Sequence, residues 1–241
     1  MVFDLIKSGE ENWNDFSFNL LKDSIDTINV KQNLCNIMLT GGSTANDLYK
    51  AWKNQFLTIK KNLNIFLTDE RCVPETSHLS NYFNLINSLY DNIPSHHKIF
   101  PIYDDTQDIK KNIKDYESKL PDYIDVTLIS LGSGGHIASI FKNFEKNNSD
   151  FKLLHINAPV EPFKRITTTI SYINNSRKVF LLVKGIEKAK ILNKFVNDKL
   201  CNSCIMPMSF LNKATILIDH IGYQHLTLQS LEYFKHKSAN N

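Results

Sequence analysis

Five short apolar runs, rich in β-branched and aromatic residues, constrain the fold of this 241-residue chain more than any other feature. Each run is nearly continuous rather than alternating, which is typical of strands buried on both faces of a parallel sheet. The runs cover residues 34–40, 63–68, 124–131, 178–183 and 214–218. A sheet of this kind needs a layer of helices on each face.

Segments of helical periodicity lie between these runs. Apolar residues recur every three or four positions in segments 13–28, 80–90 and 185–200, and a shorter helical segment, 45–52, follows the first run. Strand and helix therefore alternate, which predicts a Rossmann-like α/β fold of three layers, α/β/α, around a mainly parallel sheet. Because no repeat or linker divides the chain, we expect one domain over residues 1–241. The polar segment from His220 onwards shows no clear pattern.

Composition excludes several classes of protein. The chain has 28 Lys and Arg against 25 Asp and Glu, and this net charge of +3 is too small to predict a nucleic-acid partner. No apolar stretch of about 18 residues predicts a membrane span, and the N-terminus does not resemble a signal peptide. Four cysteines do not form a disulfide scaffold, so we expect a reduced, cytoplasmic setting. Cys201 and Cys204 form a CxxC without a second ligand pair and are expected to be ordinary thiols.

Five of the eight glycines lie in two clusters, and each cluster directly follows a predicted strand. The first is Gly41-Gly42-Ser43-Thr44, and the second is Gly132-Ser133-Gly134-Gly135-His136. Glycine is favoured where the backbone needs a positive φ or must approach another group closely. In open α/β sheets, ligands bind outside the carboxyl ends of the strands. The two clusters therefore predict a binding site at that edge.

Each cluster suggests a chemical role and has a plainer alternative. Ser43 or Thr44 is predicted to cap the following helix, whose free N–H groups and dipole favour an anion; the alternative is a simple strand–helix junction. His136 is predicted to begin a short helix, where the dipole lowers the pKa of the imidazole and keeps it a neutral base. The alternative for His136 is a purely structural histidine.

Two further motifs supply charged side chains. Only three of the 28 basic residues are arginines, and arginine binds carboxylate or phosphate at two points. Arg71 follows Asp69 at the end of a predicted strand. Arg165 precedes a predicted threonine-rich strand, and Lys188 lies in the first turn of a predicted helix. Arg165 and Lys188 are candidates to clamp a phosphate; the alternative is two unrelated surface cations.

The order of these motifs resembles that of the 6-phosphogluconolactonase family, from about residue 34 to residue 219. The matching segments are GGST (41–44), LTDERCVP (67–74), SNY (80–82), GHIASIF (135–141), RIT (165–167), GIEKAKIL (185–192) and PMSFL (207–211). The resemblance implies the fold shared by glucosamine-6-phosphate deaminase, ribose-5-phosphate isomerase and coenzyme A transferases. It also implies hydrolysis of 6-phosphogluconolactone, a small sugar phosphate of the pentose phosphate pathway, without metal or cofactor, by a protein that we expect to be a monomer.

Carried onto this chain, the resemblance makes His136 the general base that activates water, and afterwards the acid that protonates the leaving ring oxygen. Arg165 and Lys188 would hold the phosphate. The other substrate contacts would come from Gly41, Gly42, Ser43, Thr44, Asp69, Arg71, Gly134 and Gly135. Backbone N–H groups of the two glycine clusters would supply the oxyanion donors.

The second cluster departs from the family pattern. The family loop usually reads GxGxDGH, whereas this chain reads GSGGH, which is two residues shorter and lacks the aspartate. A third group of this kind commonly orients a catalytic histidine, and Asp69 is expected to replace it. One alternative is a relative that binds sugar phosphates with little or no turnover. The other is glucosamine-6-phosphate deaminase, although that enzyme would continue with Asn-Glu-Pro where Ser139-Ile140-Phe141 stand here.

Overall fold

The computed structural model of the chain describes residues 2–10, 12–28, 33–89, 93–141, 151–201 and 206–238. The strands are β1 (Val2–Lys7), β2 (Leu34–Leu39), β3 (Asn62–Leu67), β4 (Asp69–Arg71), β5 (Lys98–Ile99), β6 (Val126–Ser130), β7 (Leu153–Asn157), β8 (Lys164–Thr168), β9 (Lys178–Val183) and β10 (Lys213–Ile218). The α-helices are α1 (Trp13–Thr27), α2 (Ser43–Trp52), α3 (Asn81–Leu89), α4 (Ile109–Glu117), α5 (Ile170–Asn174), α6 (Ile186–Leu200), α7 (His220–Gln224) and α8 (Leu228–Ser238).

Seven strands form one sheet in the order β1-β10-β9-β6-β2-β3-β5, and every neighbouring pair is parallel. The five predicted apolar runs are β2, β3, β6, β9 and β10, with bounds that differ by at most two residues. The predicted helical segments form α1, α2, α3 and α6. The prediction of an α/β fold with a mainly parallel sheet is therefore confirmed.

The apolar core lies on both faces of this sheet. Alternate residues of β9 belong to different clusters: Phe180 and Leu182 pack with α1 and α2, whereas Val179 and Leu181 pack with α6 and α8. Because successive side chains of a strand point to opposite faces, the two clusters must lie on opposite sides of the sheet. This arrangement is the three-layer architecture that the sequence predicts.

A second sheet, absent from the sequence predictions, has the order β4-β8-β7 and is antiparallel. Thr68 joins β3 to β4, and its carbonyl oxygen accepts hydrogen bonds from the backbone N–H (2.8 Å) and hydroxyl (2.9 Å) of Thr168. These bonds attach the small sheet at the carboxyl end of β3. Arg165, expected to precede a strand, lies inside β8 and is paired directly with Arg71 of β4.

The segment from His220 onwards, for which the sequence shows no pattern, forms α7 and α8. Asp219 caps α7 through its carboxylate, which accepts from the backbone N–H of Gly222 at 3.0 Å and of Gly185 at 2.8 Å. The thiol of Cys201 is free, whereas Cys204 lies outside the described residues. Among the helices that the structure describes, none has the length and apolar character needed to cross a membrane.

Glu70 is a buried carboxylate in the middle of β4. Its oxygens accept four hydrogen bonds of 2.7 to 3.0 Å, from the backbone N–H groups of Arg71, Asn81 and Tyr82 and from the hydroxyl of Ser80. Two of the donors are the first N–H groups of α3, where a negative charge also interacts favourably with the helix dipole. Glu70 therefore connects β4 to the beginning of α3.

We expect Glu70→Gln to lower the free energy of unfolding by about 2 kcal/mol, because an amide donor then faces N–H groups that need an acceptor. Urea denaturation of the purified variant measures this change. Glu75→Gln is the matched control, since Glu75 is exposed in the same segment and should change the stability little. An equal stability for both variants would contradict the role of Glu70.

Candidate functional site

The first glycine cluster begins α2 without a side-chain cap. Gly42 has a φ of +94° and is itself the capping residue, so Ser43 is already the first helical residue and neither Ser43 nor Thr44 caps the helix. The predicted cap is wrong because the helix begins two residues earlier than the sequence suggests. This start favours anion binding, since the first N–H groups of α2 have no side-chain acceptor in the described part of the chain.

Gly41 is required by packing. A Cβ atom at this position would lie 2.0 Å from Oδ1 of Asn81. Asn81 cannot move away freely, because it is buried and donates from its side chain to the carbonyl oxygen of Asp69 at 2.9 Å. The first cluster therefore divides into a packing glycine, Gly41, and a turn glycine, Gly42.

Lys188, in the first turn of α6, reaches the first cluster. Its ammonium group donates to the hydroxyl of Thr44 at 2.9 Å and to the hydroxyl of Ser130, at the end of β6, at 2.6 Å. Burial, with a smaller contribution from the charge of Lys184, lowers the pKa of Lys188 to about 8. Lys188 therefore presents a positive charge beside the uncapped end of α2, where an anion is favoured.

The second cluster forms turns, not a helix. Residues 132–141 contain no helical residue, so the prediction that His136 begins a short helix is wrong. Gly134 and Gly135 have φ values of +86° and +83°, which reverse the chain before the histidine. The loop closes on itself, because the N–H of Gly132 donates to the carbonyl of His136 at 2.8 Å and the N–H of Gly135 to the carbonyl of Gly132 at 3.1 Å.

The imidazole of His136 is oriented by this same loop. Its Nδ1 lies 2.9 Å from the carbonyl oxygen of Ser133. Since a carbonyl only accepts hydrogen bonds, Nδ1 carries the proton and Nε2 keeps its lone pair in the neutral ring. The ring lies against Gly132, where a Cβ atom would be 2.2 Å from Nε2. The shortened loop therefore leaves Nε2 as the atom able to accept a proton.

Charged groups from three other elements act on His136. Burial lowers the pKa of His136, and the positive charges of Arg165 and Lys188 lower it further, whereas the Ser133 carbonyl and the charge of Asp69 raise it. The ring of Phe141 also covers the imidazole, with the ring centroids 4.7 Å apart. The sequence also predicts a lowered pKa for His136. The cause in the structure is burial together with the charges of Arg165 and Lys188, and not a helix dipole.

Asp69 lies near His136 without touching it. Its carboxylate accepts from the hydroxyl of Ser139 at 2.6 Å and from the hydroxyl of Thr68 at 3.0 Å. No hydrogen bond joins Asp69 to the imidazole among the residues that the structure describes. The orienting contact that the sequence assigns to Asp69 is therefore made by the Ser133 carbonyl. Neither Ser133 nor Ser139 was singled out from the sequence, because serines in a turn carry no periodic signal.

The two arginines of the motifs lie side by side. Arg71 and Arg165 are directly opposite on β4 and β8, which places their side chains on the same face of the small sheet. Arg71 donates from Nη1 to the carbonyl of Leu79 at 2.6 Å, and its buried Nε has no hydrogen-bond partner among the residues that the structure describes. Burial and the charge of Arg71 lower the pKa of Arg165. Two adjacent guanidinium groups repel each other, and an anion relieves this repulsion.

We expect Gly132→Ala to displace the His136 ring, because the new methyl group would overlap it. Loss of the contact with Ser133 should change the pKa of His136, and NMR titration of the histidine C2 protons measures it. Gly9→Ala is the control, since a Cβ atom there meets no atom within 4 Å. An unchanged His136 titration in Gly132→Ala would contradict the described ring position.

The parallel sheet, the small sheet attached at its edge and the histidine near two cations define a Rossmann-like α/β protein with positive charges gathered at one edge of the sheet. The family model described as glucosamine-6-phosphate isomerases/6-phosphogluconolactonase matches residues 12–218, and the chain belongs to this family.

Curated relatives and solved structures agree with this assignment. The 6-phosphogluconolactonase of Thermotoga maritima is 28% identical over 195 residues, which are 78% of this chain and 87% of the relative. The 6-phosphogluconolactonase of Borreliella burgdorferi is 28% identical over 214 residues, or 83% and 88% of the two chains. A crystal structure of the Thermotoga maritima protein has a TM-score of 0.76 at 25% identity and covers 90% of this chain and 99% of that one.

A monomeric glucosamine-6-phosphate deaminase shares the fold with a TM-score of 0.73 at 19% identity, covering 92% of this chain and 99% of that one. At this identity the likeness concerns the fold alone. The same architecture therefore accommodates two reactions, and the choice between them depends on the site.

Proposed function

We propose that this chain hydrolyses 6-phosphogluconolactone to 6-phosphogluconate, a reaction of the oxidative pentose phosphate pathway, and that it acts as a single domain. The observation that carries the proposal is the hydrogen bond between Nδ1 of His136 and the Ser133 carbonyl, which leaves Nε2 as a base beside Lys188 and Arg165. The names of the relatives support the choice of substrate.

In this proposal the phosphate binds at the beginning of α2. The N–H groups that follow Gly42 point their partial positive charge at the ligand, and Lys188 adds a full charge. The hydroxyls of Thr44 and Ser130 hold the ammonium group in this position. Arg165, whose guanidinium carbon lies 5.6 Å from the centre of the Phe141 ring that also covers His136, supplies the second charge.

The proton transfers follow from the tautomer of His136. Nε2 takes a proton from a water molecule as its oxygen attacks the lactone carbonyl carbon, and a tetrahedral intermediate forms. The intermediate collapses, the bond between the carbonyl carbon and the ring oxygen breaks, and the imidazolium returns the proton to that oxygen. The product is the open-chain acid, and the histidine is neutral again.

In this proposal Asp69 assists the reaction through its negative charge, and Gly134 assists it through its backbone N–H group. The carboxylate of Asp69 raises the pKa of His136 and so stabilises the imidazolium that forms during the reaction. In the second cluster, the N–H groups of Gly132 and Gly135 are already used within the loop. Of the three glycines in this cluster, Gly134 is the one whose N–H has no partner among the described residues, and it is the candidate donor for the oxyanion.

The direct test mixes purified protein with freshly generated 6-phosphogluconolactone and follows acid release against the spontaneous rate. We expect clear acceleration. If the protein binds 6-phosphogluconate without accelerating hydrolysis, it is a sugar-phosphate binder and the proposed activity is wrong. Ammonia release from glucosamine-6-phosphate would instead identify a deaminase.

His136→Ala should lower kcat by about 10²- to 10⁴-fold, the usual contribution of a general base, while the affinity for 6-phosphogluconate changes little. His225→Ala is a matched control, because His225 is exposed and also has its Nδ1 at a backbone carbonyl, that of Ile221 at 2.8 Å. Equal kcat values for the two variants would exclude His136 as the base.

The pH dependence of kcat/KM should be bell-shaped after subtraction of spontaneous hydrolysis. The rate rises with pH as His136 loses its proton at a pKa below 6.5, and it falls as Lys188 loses its charge near pH 8.

Lys188→Met should raise KM about tenfold and remove the decrease of kcat/KM at alkaline pH. Lys190→Met is the control, since Lys190 is exposed on the same helix, and this variant should keep both the acidic and the alkaline limb of the pH profile. An unchanged alkaline limb in Lys188→Met would contradict this assignment.

A further inference from the structure

The hydroxyl of Ser139 stands between two buried opposite charges. It donates to Oδ2 of Asp69 at 2.6 Å and accepts from Nη1 of Arg165 at 3.4 Å. Asp69 is 5% exposed, Arg165 is 6% exposed and Ser139 is fully buried. The single hydroxyl proton is given to the carboxylate, and an oxygen lone pair receives the guanidinium N–H, so the three groups form one chain of hydrogen bonds.

The fold holds Ser139 in this position by its backbone. The preceding residue, Ala138, has a φ of +47°, a left-handed conformation that is unfavourable for a residue with a Cβ atom. The N–H of Ser139 then donates to the hydroxyl of Thr167 on β8 at 3.2 Å. The turn therefore brings the serine onto the strand that carries Arg165.

Asp69 and Arg165 carry opposite charges, but this arrangement keeps them apart. A carboxylate and a guanidinium that are both buried and both bonded to one hydroxyl are candidates for a direct, often two-point, ion pair. No ion pair joins Asp69 and Arg165 in the part of the chain that the structure describes. Arg165 instead donates from Nε to the carbonyl of Pro162 at 3.0 Å and lies over the ring of Phe141, 5.6 Å from its centroid, while its Nη2 has no hydrogen-bond partner among the described residues. Donors of the guanidinium thus remain available to a ligand.

We infer that Ser139 is a positioning residue that prevents Asp69 and Arg165 from forming an ion pair and so keeps Arg165 free to bind an anion. The identity of that anion as a sugar phosphate rests on the proposed function. In the absence of this hydroxyl, Arg165 turns towards Asp69, the two charges neutralise each other, and the site loses both its anion donor and the charge that supports His136.

The test measures the Kd of 6-phosphogluconate by titration calorimetry at pH 7. Ser139→Ala should weaken binding about tenfold or more, because Arg165 is captured by Asp69. Asp69→Asn in the Ser139→Ala background should restore most of the affinity, because a neutral amide does not capture the guanidinium. A serine that only stabilises the fold gives no such rescue.

Ser176→Ala is the control for the loss of a buried hydroxyl, since Ser176 is buried and its hydroxyl lies 2.8 Å from that of Thr127. It should keep the wild-type Kd. A Ser139→Ala variant that binds within twofold of wild type, or whose loss Asp69→Asn does not rescue, overturns the inference.

A crystal structure of Ser139→Ala separates this inference from the proposed function. A direct contact between a guanidinium nitrogen of Arg165 and the Asp69 carboxylate supports the inference even if the wild-type protein does not hydrolyse the lactone. An Arg165 that keeps its position and stays unpaired overturns it even if hydrolysis is observed.

Discussion

The buried carboxylate of Glu70 is the contact on which the site depends most. It binds the N–H groups at the beginning of α3 and so holds β4 against that helix. Asn81, at the first position of α3, then supports the carbonyl of Asp69 and packs against Gly41. One charge, kept inside the protein by four hydrogen bonds, therefore sets the positions of the first glycine cluster, Asp69 and Arg71 relative to one another.

In the site around this framework, the charged side chains of Lys188 and Arg165 form hydrogen bonds with neutral groups. Lys188 is held by two neutral hydroxyls, and Arg165 meets a backbone carbonyl and the hydroxyl of Ser139. Cations that form no ion pair among the described residues lower the pKa of the nearby buried imidazole and favour a negative charge close to them. The same low-polarity surroundings that make these charges costly would also strengthen their interaction with the phosphate of the proposed substrate.

The sequence predicted the central strands well, because burial on both faces requires continuous apolar runs such as 178–183. It missed β4 and the antiparallel pairing of β8, because residues Asp69 to Arg71 and Lys164 to Thr168 are mostly polar or charged and adopt strand conformation through their pairing with each other. It was wrong about the helix at His136, because the two positive φ angles of Gly134 and Gly135 produce turns instead.

The sequence by itself determined the parallel sheet, the edge at which the glycine clusters lie and the family to which the motifs point, because all three depend on local patterns and chain order. Only the tertiary structure decided which atoms meet: the Ser133 carbonyl orients His136, Thr44 and Ser130 hold Lys188, and Ser139 stands between Asp69 and Arg165. The contacts of Lys188 and Ser139 join residues from separate loops, strands and helices, and the contact of His136 depends on the backbone turns of its own loop. Sequence spacing alone does not encode these distances, because only folding brings the atoms together.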